Sequence, residues 1–139
     1  MKVKTSDLIG PALDWAVATI EGYGCQFDDE VSGPWLVPQE GFLHDEKPLS
    51  KFSPSTNWNQ GGPIIERENF TIERNVKQRG CAVIGFHEWY VSSPENYGGL
   101  IRYSGSGPTP LIAAMRCYCC AKLGEYVDIP EELCQRANS

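Results

Sequence analysis

The sequence has little of what membrane, nucleic-acid and secreted proteins usually carry. No run in its 139 residues approaches the roughly 18–20 consecutive apolar positions that a membrane-spanning helix needs. Basic residues are outnumbered, with 12 Lys and Arg against 18 Asp and Glu and a formal net charge of -6. Affinity for DNA or RNA comes largely from neutralising phosphates, and no basic run supplies that here. The local cluster Arg67, Arg74, Lys77 and Arg79 is diluted by Glu66, Glu68 and Glu73. Nucleic acid is therefore set aside as a partner. Histidine is scarce, with 2 in the chain. His44 stands beside Asp45 in a loop region, and His87 beside Glu88 on an expected strand, where neighbours face opposite sides and cannot act as a local pair. Internal repeats, low-complexity segments and linkers are absent too. Met1–Asp7 lacks the apolar stretch of a secretory signal. The 6 cysteines are thus expected as reduced thiols and not as a disulfide framework, and the sequon Asn69-Phe70-Thr71 carries no meaning.

What is present suits one globular domain, residues 1–139: 41% hydrophobic and 22% charged residues, enough to bury a core without staples. Pro11 suits the first position of a helix carrying Leu13, Ala16, Val17 and Ile20 on one face, with Gly22 and Gly24 as its stop. Trp15 points away from that stripe, toward a second layer or a stacking surface. Residues 25–62 are rich in turn chemistry, with short extended pieces at Trp35–Val37 and Phe42-Leu43. Pro63–Glu66 and Phe70–Ile72 read as neighbouring strands joined at Arg67–Asn69. Cys81–Phe86 reads as a buried central strand continuing to Val91, and Leu100–Tyr103 as another. The strongest local signal is last: Thr109 as cap, Pro110 as first helical residue and Gly124 as stop, with Leu111, Met115, Tyr118 and Cys119 on one face and Ile112 and Leu123 at its margin. Val127–Leu133 follows as a short strand and a helical turn. The expected fold is α+β: two main helices packed on a small, mostly antiparallel sheet of three to five strands, with long loops at one edge.

Three stretches carry a family resemblance. They are Met1–Thr5 with Leu13–Ala18, the block Pro54–Glu68 (Pro-Ser-Thr-Asn-Trp-Asn-Gln-Gly-Gly-Pro-Ile-Ile-Glu-Arg-Glu), and Gly107–Arg116 running on to Val127–Pro130. In combination they resemble the NinX-like accessory proteins of tailed phages, while residues 25–52 and 74–104 carry no such signature. The resemblance implies a phage gene product with an accessory role in the host cytoplasm, and implies no reaction.

The constellations that bear chemistry are few. Cys117 and Cys120 have two-residue spacing with Cys119 between them, but a helix turns Cys119 toward the core and no second pair or histidine completes a metal set. Buried, inert thiols are the simpler reading. The acidic triplet Asp28-Asp29-Glu30 reads as a solvated turn. Gly61-Gly62-Pro63 is no phosphate loop, since the Lys-Ser/Thr that follows in such loops is missing. A ligand site is assembled instead from Trp58 as a stacking ring in a polar loop, amides at Asn57, Asn59 and Gln60, the helix entry at Thr109, the guanidinium of Arg116 and, on the first helix, Trp15. The bland alternative is as concrete: Trp58 plugs the core under its loop and Arg116 pairs with Glu66. The functional expectation is a protein without catalytic residues, metal or cofactor that sequesters a small anionic or nucleotide-like molecule, to the detriment of host defence signalling. The alternative is an inhibitor or adaptor that docks on a host protein through its acidic loops. Whether the chain self-associates is left open.

Thiol titration under denaturing, non-reducing conditions is expected to find close to all 6 cysteines free. Two or three bridged pairs, or stoichiometric zinc, would overturn the reduced-thiol reading.

Overall fold

The helix Pro110–Leu123, here α3, sits at the centre of the molecule. In this computed structural model, which describes residues 1–27, 34–38, 47–94, 103–131 and 133, its start follows the sequence signals. The Thr109 hydroxyl accepts the Ile112 N–H at 3.1 Å, Pro110 opens the first turn and Gly124 follows the last residue. Leu111, Ile112, Met115, Tyr118 and Cys119 are buried as the spacing requires, but so are Ala113, Ala114 and Cys117. A helix apolar on nearly all sides is a core helix, and among the described residues the other helices and two of the sheets pack against it.

Helix α1 (Gly10–Ile20) packs on α3 through Leu13, Ala16 and Val17, all fully buried. Among the described residues, three antiparallel sheets complete the frame. Strands β1 (Lys2–Lys4) and β8 (Tyr126–Asp128) form a two-stranded ribbon with Val3 opposite Val127. It is closed by the terminal amino group donating to the Ile129 carbonyl at 2.9 Å and by the Thr5 hydroxyl donating to the Gly124 carbonyl at 2.9 Å. Strands β2 (Tyr23–Phe27), β3 (Pro34–Pro38) and β4 (Lys47–Pro48) pair in that order. Strands β5 (Thr71–Arg79), β6 (Ala82–Ser92) and β7 (Ser104–Gly107) form the third sheet, with β6 in the middle. The α+β class and the antiparallel pairing are as the sequence implies, with one helix more and, among the described residues, more strands, divided among three sheets instead of one.

The additional helix is the main departure. Pro63–Glu66 is not a strand: Trp58–Glu68 is helix α2, with Pro63 inside it. Gly-Gly-Pro is poor helix sequence, about 1 kcal/mol per Gly and about 3 for Pro against Ala. Packing overrides that propensity. At Gly61 a Cβ would lie 2.6 Å from Leu111 Cδ2 and closer still to the Pro54 carbonyl oxygen, so the backbone of α2 is pressed against α3. Asn57 caps the helix by accepting the Asn59 N–H at 3.0 Å, and Asn69 ends it in the left-handed region at φ 57. The same device serves on the other flank of α3: a Cβ at Gly105 would stand 2.5 Å from the Ala113 carbonyl oxygen and from the Cys117 nitrogen.

Two smaller expectations shift. The apolar run beginning at Cys81 is exposed at Cys81 and Ala82, where the β5–β6 hairpin turns, and Val91 farther along the strand is fully buried, the side chains of 83, 84, 86 and 87 lying outside the described ones. The strand expected at Leu100–Tyr103 starts later, at Ser104, residues 100–102 lying outside the described residues. Phe42-Leu43, His44 and Asp28–Glu30 lie outside them as well.

Adjacent glycines of α2 should therefore respond in opposite directions. Gly61→Ala is expected to destabilise by about 1–3 kcal/mol, because the methyl has backbone in its way. Gly62→Ala meets nothing nearer than Trp58 Cε3 at 3.9 Å and is expected to stabilise by roughly 0.5–1 kcal/mol through helix propensity. Urea denaturation of the two variants checks this, and equal effects would mean that α2 does not press on α3 as described.

Candidate functional site

Reading 58–68 as a helix places Gln60, Pro63, Ile64 and Arg67 on one stripe, at spacings of three, four and seven. That stripe forms one side of an open cleft of about 240 Å³. Glu21 after α1, Tyr23 at the start of β2 and Phe52 before the turn into α2 form the other. The Tyr23 and Phe52 rings pack tilted at 55° with centroids 5.6 Å apart, and both are buried. The cleft thus has apolar walls with polar groups at Glu21, Gln60 and Arg67.

Arg67 is the best-defined of these. Its Nη2 donates to Glu21 Oε1 at 2.6 Å and to the Tyr118 hydroxyl at 2.9 Å, while that hydroxyl donates in turn to Glu21 Oε1 at 3.0 Å. Nε reaches Glu68 Oε1 at 3.5 Å, a long contact. The Glu21 hydrogen bond raises the Arg67 pKa further above its usual value, against the opposing effect of burial, so the guanidinium stays charged. Burial first, and the Glu21 carboxylate second, push the Tyr118 phenol up, which keeps it a donor. Two partners fix the guanidinium through one nitrogen, and among the described residues Nη1 makes no hydrogen bond. The Arg67 side chain remains 52% exposed. An oriented, half-open guanidinium at a cleft is suited to reading an acceptor group from solution.

The residues named from the sequence fall into separate places. Gln60 lines the cleft, and its amide also fixes the approach to it, with Oε1 accepting the Ser53 N–H at 2.6 Å and Nε2 donating to the Lys51 carbonyl at 2.8 Å. Asn57 is occupied as the cap of α2, and Asn59 is exposed beside it. Trp58 is 54% exposed on α2 beside Gly62, not plugged into the core, and is not among the residues lining the cleft. Thr109 is engaged in capping α3. Arg116 does not pair with Glu66: its Nε donates to the Leu8 carbonyl at 2.7 Å and its Nη1 to the Ser106 carbonyl at 2.8 Å, tying the segment before α1 and β7 to α3. Burial lowers the Arg116 pKa, opposed by the charges of Glu88 and Asp7. Trp15 packs half-buried against the core, and its buried Nε1 has no partner among the described residues. Arg67 was in view in the sequence only as one charge of a diluted cluster; the capping signal at Asn57 is what would have exposed its helical stripe.

The buried thiols behave as core groups. Burial pushes the Cys117 thiol up to about 12, and burial likewise pushes Cys119 up. Cys81, Cys117, Cys119 and Cys120 are free, and among the described residues no group of three His, Cys, Asp or Glu converges on a metal position. No described helix is long and apolar enough to cross a membrane.

Among the described residues, helices α1, α2 and α3 around a buried centre, short antiparallel sheets and an arginine-bearing cleft define a small α+β protein in which Pro54–Glu68 folds as turn and helix. The family model described as bacteriophage P22, NinX matches residues 4–122, and the chain belongs to that family of phage accessory proteins. No curated protein matches it.

Behind the cleft, Asp14 holds the turn from which α2 springs. Its Oδ1 accepts the Ser55 N–H at 3.0 Å, and its side chain is almost fully covered, at 7% exposure. Burial pushes the carboxyl from its ordinary 3.8 up to about 6, opposed by hydrogen bonding from Ser55. A folded-state pKa above the unfolded one stabilises fully below pH of about 4, and that contribution is lost as pH rises through about 6. Two pH units correspond to roughly 3 kcal/mol. Asp14→Asn removes the titration, so wild type is expected to lose stability relative to the variant between pH 4 and 7. Parallel stability–pH curves from urea denaturation would place the Asp14 carboxyl in water.

Proposed function

We propose that this phage accessory protein works by binding rather than by catalysis, capturing a small nucleotide-like molecule in the Arg67 cleft within the host cytoplasm and so blunting a host signal. The observation that carries this reading is Arg67: oriented by Glu21 and Tyr118, left with an unbonded Nη1 among the described residues, and set on the same helical stripe as Gln60, Pro63 and Ile64. It takes the role that the sequence assigned to Arg116, whose guanidinium is engaged by two backbone carbonyls. The rise in the Cys117 and Cys119 pKa values supports the non-catalytic side, since a thiol held protonated is a poor nucleophile.

One observation favours a second reading. Trp58 stands 54% exposed on α2, and exposed tryptophans are frequent anchors of protein–protein contacts. On that reading the partner is a host protein, drawn also by the acidic residues Asp28, Asp29 and Glu30.

A ligand bound only to the folded state raises its melting temperature by mass action. Thermal-shift screening against a nucleotide-like panel is expected to give a hit whose affinity falls at least tenfold in Arg67→Gln. The melting temperature of the unliganded variant should stay within a few degrees, because a half-exposed ion pair contributes only about 0.2–1 kcal/mol. No shift across the panel, together with salt-sensitive capture of one host protein that Trp58→Ala abolishes, would establish the second reading instead.

A further inference from the structure

Resting on that reading of the cleft, we infer that the site takes a single heteroaromatic ring molecule of nucleobase or nucleoside size, uncharged or singly charged, and rejects polyphosphates. Charge is the first ground. Among the described residues, the charged side chains lining the cleft are Glu21 and Arg67, paired at 2.6 Å, and Glu68 stands against the same guanidinium at 3.5 Å. The three together are net negative. A triphosphate carries several negative charges and is ordinarily held by a series of cations and backbone N–H groups; here it would meet one half-neutralised arginine and the repulsion of two carboxylates.

Size is the second ground. A cleft of about 240 Å³ lies below the roughly 300–1,000 Å³ of ordinary ligand pockets. That volume holds one ring system, and the rest of a larger ligand would project into solvent. The donor set is the third. The Arg67 Nη1 offers divergent N–H groups, one of which suffices for a single carbonyl or ring-nitrogen acceptor, and Pro63, Ile64, Tyr23 and Phe52 supply apolar surface for a ring. Glu21 thus has two effects at once: it orients the arginine and it sets the charge limit on what the arginine accepts.

The test is a calorimetric series on the intact protein with adenosine, guanosine, cytidine and uridine, each as nucleoside, 5′-monophosphate and 5′-triphosphate, without divalent cations at about 50 mM salt. For the base that binds, the nucleoside is expected to bind at least tenfold more tightly than its triphosphate, with the monophosphate between. Glu21→Gln removes one negative charge and is expected to narrow that ratio at least threefold. Should Glu21→Gln fail to fold, raising the salt to about 500 mM on wild type must narrow the same ratio by screening. A triphosphate that binds as well as the nucleoside, or a ratio that neither change moves, overturns the inference. Triphosphate-led binding lost in Arg67→Gln would leave the cleft as the site and refute only its charge limit; no binding by any of the twelve compounds would refute both.

Discussion

The burial of α3 on nearly every side is the constraint on which the rest of the molecule depends. A helix with so little solvent face must be met closely on two flanks, and the sequence supplies glycine at both: Gly105 of β7 lies against the α3 backbone, and Gly61 of α2 against the Leu111 side chain and the Pro54 carbonyl. Full burial of side chains such as Leu111, Met115 and Tyr118 contributes about 1.5–3 kcal/mol each. The intrinsic penalty of Gly-Gly-Pro in α2 is about 5 kcal/mol by the same order of reckoning. Helix α2 therefore exists because α3 needs a cover, and not because its own residues favour a helix.

Placing α2 by packing also fixes where its polar stripe falls. The turn Ser53–Asn57 is held by three polar links of different kinds: Asp14 to the Ser55 N–H, Gln60 to the Ser53 N–H, and Asn57 as helix cap. One of these is a buried carboxylate, which is a poor choice for raw stability. Its effect is positional, because it ties the turn before α2 to α1 through the Ser55 N–H. At the far end the Arg67–Glu21 ion pair and the Tyr118 hydroxyl fix α2 to both other helices. The cleft is the space left between these two fixings.

The elements most legible in the sequence were those whose local chemistry and tertiary role agree. Thr109, Pro110 and Gly124 delimit α3 because capping is a local interaction, and α1 is legible in the same way from Pro11 and the stripe through Val17. Helix α2 was not, since Pro63 and two glycines argue against it locally and only Leu111, far along the chain, argues for it. The site was obscured for the same reason. Gln60 was named, but Arg67 joins it only at helical period, and a strand reading of Pro63–Glu66 turns that period off. Arg116 looked available because sequence shows a guanidinium without showing the two carbonyls that occupy it.

Burial decides which of the two arginines is open to a ligand. Arg116 satisfies the Leu8 and Ser106 carbonyls, and withdrawing it would orphan the carbonyl of buried Leu8, at about 1–3 kcal/mol, while Ser106 is exposed to water. No modest ligand contact offsets that, so Arg116 stays where it is. Arg67 is held by Glu21, whose side chain keeps 18% exposure, and by the hydroxyl of the buried Tyr118, which also donates to Glu21 and so keeps a partner if the guanidinium shifts. It is oriented without being saturated. A recognition group needs both properties, because orientation lowers the entropy lost on binding and an unsatisfied donor supplies the reason to bind. The half-exposed ion pair, weak as a stabiliser, is for that reason the more useful arginine.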